Sequence, residues 1–199
     1  MKKVNLGTSV KWQYADTRQV PDIREKVLDE INIPNGLILE IGCADGNFFE
    51  LLLNKGFKAP NYYYTGIDID KSQISKAKRM FPTANFVNGN ILDSKFDDII
   101  REASLIISFQ VLEHIYFDIG LLNKIDSGKS IIYSVPDFDY GSKNPNGAGH
   151  KRSFDLEGWS KRYENILDIS EVWTVEHIKK RHKVTKFPKK IFLFQTTKR

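Results

Sequence analysis

Cysteine is almost absent from this sequence: 199 residues contain one, Cys43, so no internal disulfide can form and the fold must hold by packing. No apolar run approaches the roughly 20 residues that a membrane-spanning helix requires. Met-Lys-Lys at the start is not followed by an apolar signal segment, so the expected location is cytoplasmic. Internal repeats and low-complexity tracts are also missing, which excludes solenoids and disordered arrays. Apolar residues make up 41% and charged residues 28%, the balance of an ordinary globular domain. A single domain over residues 1–199 is expected, with a lid or helix in 1–35 and the core in 36–196.

Acidic residues stop early. From His177 onward there is none, against nine Lys or Arg residues; the remaining 176 residues carry 21 bases and 25 acids, a sum of −4. The formal charge of +5 therefore belongs to the C-terminal segment, with most of it in Lys179 to Lys190, KKRHKVTKFPKK. Such a cluster can grip phosphates of nucleic acid, of a nucleotide-bearing substrate or of anionic lipid. It equally suits a solvated loop whose lysines protect a neighbouring edge strand. At the other end, Trp12, Tyr14 and Arg18 precede the first strand and can form a lid or pack on the outside of the domain.

Residues 37–53, LILEIGCADGNFFELLL, have the clearest local order. The short apolar run suits a strand buried on both faces of a parallel sheet. Gly42 and Gly46 punctuate it, and Phe48, Leu51 and Leu52 recur at helical spacing, so strand, tight turn and helix are predicted. A turn of this kind is expected to present free backbone N–H groups at a helix N-terminus to a phosphate, a carboxylate or a nucleotide cofactor. Cys43 within it reads as a small packed residue, with a nucleophile as the competing role. The dinucleotide fingerprint needs a small residue at 47, and Asn47 breaks it, which disfavours a dehydrogenase.

An acid followed by small residues at every second position is the other pattern, and Glu40, Gly42, Ala44 and Gly46 supply it. Here the chain resembles the class I S-adenosylmethionine-dependent methyltransferases, whose first motif reads acid-x-Gly-x-Gly-x-Gly; Ala44 replaces the middle glycine. The resemblance continues in order. Tyr62 to Ile69 reads as a strand with Asp68 in the place of the acid that accepts both ribose hydroxyls, and Asp70 as the cap of a helix from Ser72 to Met80. Ala84 to Val87 is a further strand. Asn90 then stands where the family often has an acid on the adenine amine, and Ile91 where an apolar residue covers the ring. After a strand over Ser104 to Phe109 comes QVLEHI, Gln110 to Ile115, similar to the Val-Leu-Glu-His segment of ubiquinone-biosynthesis O-methyltransferases and, less closely, of small-RNA 2′-O-methyltransferases. The implied cofactor is S-adenosyl-L-methionine, held by Glu40, Gly42, Cys43, Ala44, Gly46, Asp68, Ile69, Asn90, Ile91 and Gln110. The implied fold is α/β and Rossmann-like, a seven-stranded, mostly parallel sheet with an antiparallel last strand and helices on both faces.

The remaining segments fit that frame. Val20 to Ile31 is a helix entered at Pro21 and Asp22; Ser94 to Glu102 is a short helix; another closes over Leu121 to Ser127; Ser130 to Val135, Ile166 to Val175 and Lys190 to Thr196 are strands. Asp137 to Gly149 lacks periodicity and reads as a loop shaping a substrate site. His150 follows it, ahead of a short helix entered at Ser153 or Asp155, on which Trp159 and Tyr163 face either the core or the acceptor.

A hydroxyl acceptor needs a base that works near neutral pH, and His114 has the chemistry, oriented by Glu113, with His150 as a second candidate. The small-RNA enzymes place a divalent metal on two glutamates and two histidines; Gln110 takes the position of one glutamate, and a neutral amide is a poor ligand, so no metal is expected. Three functions compete: O-methylation of a small molecule such as a sugar, lipid precursor or phenol; RNA 2′-O-methylation using the basic segment; and a non-catalytic regulator that only binds the cofactor.

Overall fold

The computed structural model describes residues 12–13, 23–57, 61–137, 151–177 and 189–199. One eight-stranded sheet organises them, in the order β1-β7-β8-β6-β5-β2-β3-β4. Seven strands form the body: β2 (Gly36–Ile41), β3 (Tyr62–Asp68), β4 (Asn85–Asn88), β5 (Leu105–Phe109), β6 (Ser130–Pro136), β7 (Leu167–His177) and β8 (Lys189–Lys198). The eighth, β1, is the two-residue strand Trp12–Gln13, parallel to β7 at the sheet's edge. Trp12 thus enters the structure through its backbone as an edge strand; Tyr14 and Arg18 lie outside the described residues. Strand β8 is antiparallel to both neighbours, and every other pairing is parallel. The Rossmann-like sheet with its reversed last strand is as the sequence implies.

Both faces of the sheet are covered, which is why its strands read as nearly continuous apolar runs. Leu39, Ile41, Ile106, Ile131, Tyr133, Phe192 and Phe194 point into one core, completed by Ile100, Leu121, Trp159 and Tyr163. Ile38, Leu105, Ile107, Ile132 and Leu193 alternate into the other, under Val27, Phe48, Leu52 and Ile74. The helices are α1 (Ile23–Glu30), α2 (Asn47–Asn54), α3 (Lys71–Met80), α4 (Asp97–Glu102), α5 (Asp118–Leu122) and α6 (Leu156–Tyr163). Helix α3 is capped as expected: the Asp70 carboxylate accepts the N–H groups of Ser72 and Gln73, a cap worth about 1 kcal/mol. Asp155, not Ser153, caps α6 by accepting Gly158 N–H at 2.8 Å. Trp159 and Tyr163 both face the core, fully buried, and Trp159 donates its indole N–H to Pro136 O at 2.9 Å.

One helix differs from its expected span. Leu121 to Ser127 was to close a helix, yet α5 ends at Leu122. Asn123, Ser127 and Gly128 are weak helix formers, and Gly128 sits at φ +85° in the turn to β6. Among the described residues no helix is long and apolar enough to cross a membrane.

Candidate active site

Strand β2 pairs with β3 on one side and β5 on the other, so the chain order reverses there. In open parallel sheets the crevice outside the carboxyl ends at such a reversal is the ligand site. The turn after β2, the end of β3, the residues after β4 and the segment after β5 all converge on it.

Gly42, Ala44 and Gly46 adopt φ of +78°, +46° and +86°. Three left-handed residues at alternate positions explain the spacing of small residues, and Ala44 is the one that carries a side chain in that conformation. The expected free N–H groups fall at the start of α2, which no side chain caps, while the N–H groups of the turn itself are largely bonded within the protein. Gly42 N–H donates to Ile67 O at 2.8 Å, Cys43 N–H to the same oxygen at 3.3 Å, Gly46 N–H to Cys43 O at 3.0 Å, and Ala44 N–H to Asp68 Oδ2 at 2.8 Å. These donors brace the turn against β3. The glycines are required from within as well: a Cβ on Gly42 would lie 2.2 Å from Val111 Cγ2, and one on Gly46 2.8 Å from Phe86 Cζ.

Asp68 ends β3 with its other oxygen, Oδ1, accepting Asp70 N–H at 2.8 Å. Asn88, which the sequence did not single out, fixes this strand end by donating its amide to the carbonyls of Asp68 and Ile69 at 3.0 and 2.9 Å. Ile69 is 75% exposed, an uncovered apolar side chain beside the Asp68 carboxylate. Ile91 differs from its expected place: it is buried in the core, so Ile69 offers the open apolar surface at this end of the sheet. Asn90 accepts Leu92 N–H through Oδ1 at 3.1 Å, a local turn that orients the amide. Glu40 is buried at 3% exposure and accepts the Tyr64 hydroxyl. Tyr64 reaches it because Gly66, opposite Glu40 in the register, leaves room: a Cβ there would lie 2.7 Å from Cys43 Sγ and 2.8 Å from the Tyr64 hydroxyl. Cys43 is packed, and burial, then the nearby Glu40 charge, push its thiol well above the usual range, so it is no nucleophile.

The segment after β5 begins with Gln110 at φ +57°, its amide donating to Ser134 Oγ at 3.3 Å. A three-residue 3-10 turn, Leu112–His114, follows. Glu113 is fully buried, with neither carboxylate oxygen hydrogen-bonded among the described residues. The imidazole Nε2 of His114 stands 3.9 Å from Glu113 Oε1, with 40% of that side chain exposed. Burial pushes the Glu113 carboxyl up to about 7. A carboxyl raised by burial beneath an accessible imidazole can answer the imidazole's change of charge. Tyr116 and Phe117 follow, 69% and 70% exposed. His150, the loop before it and residues 178–188, which hold most of the basic cluster, lie outside the described residues; His114 and Glu113 are thus the expected catalytic residues that the structure brings together. Among the described residues no three His, Cys, Asp or Glu side chains converge as a metal site would require. A cavity of about 510 Å³ lined by Phe49, Phe57, Tyr62 and Thr83 lies at the start of β3, the opposite end of the sheet.

A cluster that the sequence did not reveal backs this segment. Asp118 is 1% exposed and accepts Arg162 through both oxygens at 2.6 and 2.7 Å, and the Tyr163 hydroxyl at 2.7 Å. Arg152 Nη1 is 3.1 Å from the same carboxylate. Burial raises the Asp118 carboxyl, but the bonds from Arg162 and Tyr163 and the Arg152 charge outweigh it and hold the group below the usual carboxylate range.

Residues 39–127, from β2 through the reversal point and the Glu113–His114 turn, match the family described as Methyltransferase domain. Over that stretch the chain is similar to S-adenosylmethionine-dependent methyltransferase domains. The trans-aconitate 2-methyltransferase of Sinorhizobium medicae (strain WSM419) is 31% identical to this chain over 81 residues, 41% of this chain and 29% of that enzyme's length. The chain thus matches under a third of that relative. Among solved structures, the geranyl diphosphate C-methyltransferase of Streptomyces coelicolor A3(2), in complex with Mg2+, geranyl diphosphate and S-adenosyl-L-homocysteine, superimposes with a TM-score of 0.64 at 11% identity, covering 88% of this chain and 79% of that one. The N-methyltransferase NodS of Bradyrhizobium japonicum WM9, in complex with S-adenosyl-L-homocysteine, gives 0.57 at 17% identity, covering 88% and 83%. At those identities the likeness is one of fold.

Proposed function

We propose that this protein transfers the methyl group of S-adenosyl-L-methionine to a hydroxyl of a small molecule with an apolar body, in the cytoplasm. One observation carries the reading: the accessible His114 imidazole over the buried Glu113 carboxylate, at the strand ends where the Asp68 carboxylate also lies. The residues at the turn suit the cofactor. Asp68 is an acid at the end of β3, able to accept ribose hydroxyls; Ile69 offers open apolar surface to a base; Asn90 holds an amide oxygen nearby. When bound, S-adenosyl-L-methionine supplies an activated methyl group on a positive sulfur.

His114 accepts the proton that the hydroxyl loses as the oxygen bonds to the methyl carbon and the carbon–sulfur bond breaks. Glu113 gives the resulting imidazolium a counter-charge in a buried setting, where it acts at short range with little screening. Tyr116 and Phe117 provide aromatic surface for the body of the acceptor. The geranyl diphosphate and N-methylating relatives show that the fold also serves carbon and nitrogen acceptors, and His114 is the reason to favour oxygen here.

Incubation of the protein and its H114A variant with methyl-labelled cofactor and fractionated cell extract tests the reading. Label is expected in a small-molecule fraction with the wild type and not with the variant. Label in RNA, or equal labelling by both proteins, overturns it.

A further inference from the structure

The 3-10 turn that carries Glu113 and His114 is too short to hold itself. Its own ladder consists of His114 N–H to Val111 O at 2.9 Å and Ile115 N–H to Leu112 O at 3.3 Å, and at Ile115 the chain is already extended. It nevertheless keeps out of water a carboxylate with no hydrogen bond among the described residues, an arrangement that relaxes by swinging Glu113 outward unless something restrains the backbone. The restraint comes from about forty residues later. Lys151 N–H donates to Glu113 O at 2.7 Å. The Arg152 guanidinium donates through Nη1 to Leu112 O at 3.2 Å and to Ile115 O, and through Nη2 to Tyr116 O at 2.8 Å. Two consecutive residues therefore bind four of the five carbonyls from 112 to 116. Arg152 itself is 12% exposed and anchored on Asp118, whose remaining capacity is taken by Arg162 and Tyr163. Asp118 thus fixes the guanidinium in place.

We propose that Arg152 is a positioning residue for catalysis: anchored on Asp118, it binds the carbonyls on both sides of Glu113 and His114 and sets the catalytic pair. This rests on the function proposed above. A planar fork of five donors can serve one carboxylate and three carbonyls at once; a lysine ammonium cannot. Among the described residues the hydrogen bonds and ion pair of the Arg152 guanidinium run to residues 112–118, so its role falls on the transfer step and not on cofactor binding.

The test compares wild type, R152K and R152M. Lysine retains a charge for Asp118 and protects against a plain loss of folding. With the extract fraction that the wild type labels, R152K is expected to lower kcat about 100-fold, the scale of a misplacement near 1 Å, with KM for the cofactor and the affinity for S-adenosyl-L-homocysteine unchanged. R152M is expected to match or exceed that loss. Turnover of R152K equal to wild type overturns the proposal; so does a parallel loss of turnover and S-adenosyl-L-homocysteine affinity, which marks a purely structural residue. If the wild type labels no fraction, the function reading fails by itself and amide hydrogen exchange decides on Arg152. Faster exchange in R152K at His114 and Ile115, with β2 and β5 unchanged, supports the restraint, and unchanged exchange at both amides removes it.

Discussion

The Asp68 carboxylate accepts the backbone N–H of Ala44 at 2.8 Å, so the acid at the end of β3 shapes the turn after β2 as well as facing the crevice. That bond holds Ala44 at φ +46°, where a Cβ costs roughly 1–2 kcal/mol. A44G removes the strain and gives back part of the gain as backbone entropy. The expected net is a stabilisation of about 0.5–1 kcal/mol, a melting-temperature rise of about 1–4 °C for a chain of this size. A lower melting temperature for A44G would show that the methyl group packs favourably and that the turn is unstrained.

Gly42 combines a φ of +78° with a Cβ position 2.2 Å from Val111 Cγ2. Substitution by alanine is expected to destabilise by about 2–4 kcal/mol, from overpacking and backbone strain together. The two causes separate in a double-mutant cycle. G42A combined with V111A recovers the steric share and leaves the conformational share, about 1–2 kcal/mol. Strict additivity in urea unfolding would mean that Val111 yields without cost.

Asp118 is a buried carboxylate facing two guanidinium groups and a phenol. D118N keeps the shape and leaves both arginines without their counter-charge, for a loss of about 3–5 kcal/mol at pH 7. The folded-state pKa of Asp118 is lowered, so its contribution is present above the unfolded-state carboxylate value and is lost as pH falls through the folded one. The stability gap between wild type and D118N should therefore narrow below about pH 4. A gap of constant size down to pH 2 would count against the ion network.

What the sequence revealed and what it withheld divide along physical lines. The run Leu37 to Ile41, the small residues at 42, 44 and 46, and Asp70 ahead of a helical pattern are local signals, and each element formed within about two residues of its expected span. Asp68 was legible because strand ends at a chain reversal share one edge. The Asp118–Arg152–Arg162 cluster was not, since its members are separated by 34 and 10 positions along the chain and nothing local distinguishes them from solvated charges. The burial of Ile91 was not legible for a similar reason: only the core packing decides that it is covered while Ile69 is left exposed. Tyr64 reaching Glu40 depended on the missing side chain of Gly66, a cross-strand relationship invisible along one strand.

Glu113 gives the clearest test of the site by pH. Burial raises its folded-state pKa from 4.5 to about 7, so folding takes up a proton in that interval. Its contribution is fully present below pH 4.5 and is lost as pH rises through about 7, the opposite direction to Asp118. The full loss is on the order of 3 kcal/mol, at 1.36 kcal/mol per unit. E113Q mimics the protonated form and does not titrate, so its stability relative to wild type should be similar near pH 4.5 and higher by on the order of 2–3 kcal/mol at pH 8. The same substitution should depress methyl transfer, since a neutral amide gives His114 no counter-charge, while leaving S-adenosyl-L-homocysteine affinity intact. Urea unfolding of both proteins at pH 5 and pH 8 measures the first effect, and the labelling assay measures the second. A stability difference that is the same at both pH values would mean that Glu113 finds water or a partner in solution, and the counter-charge role would go with it.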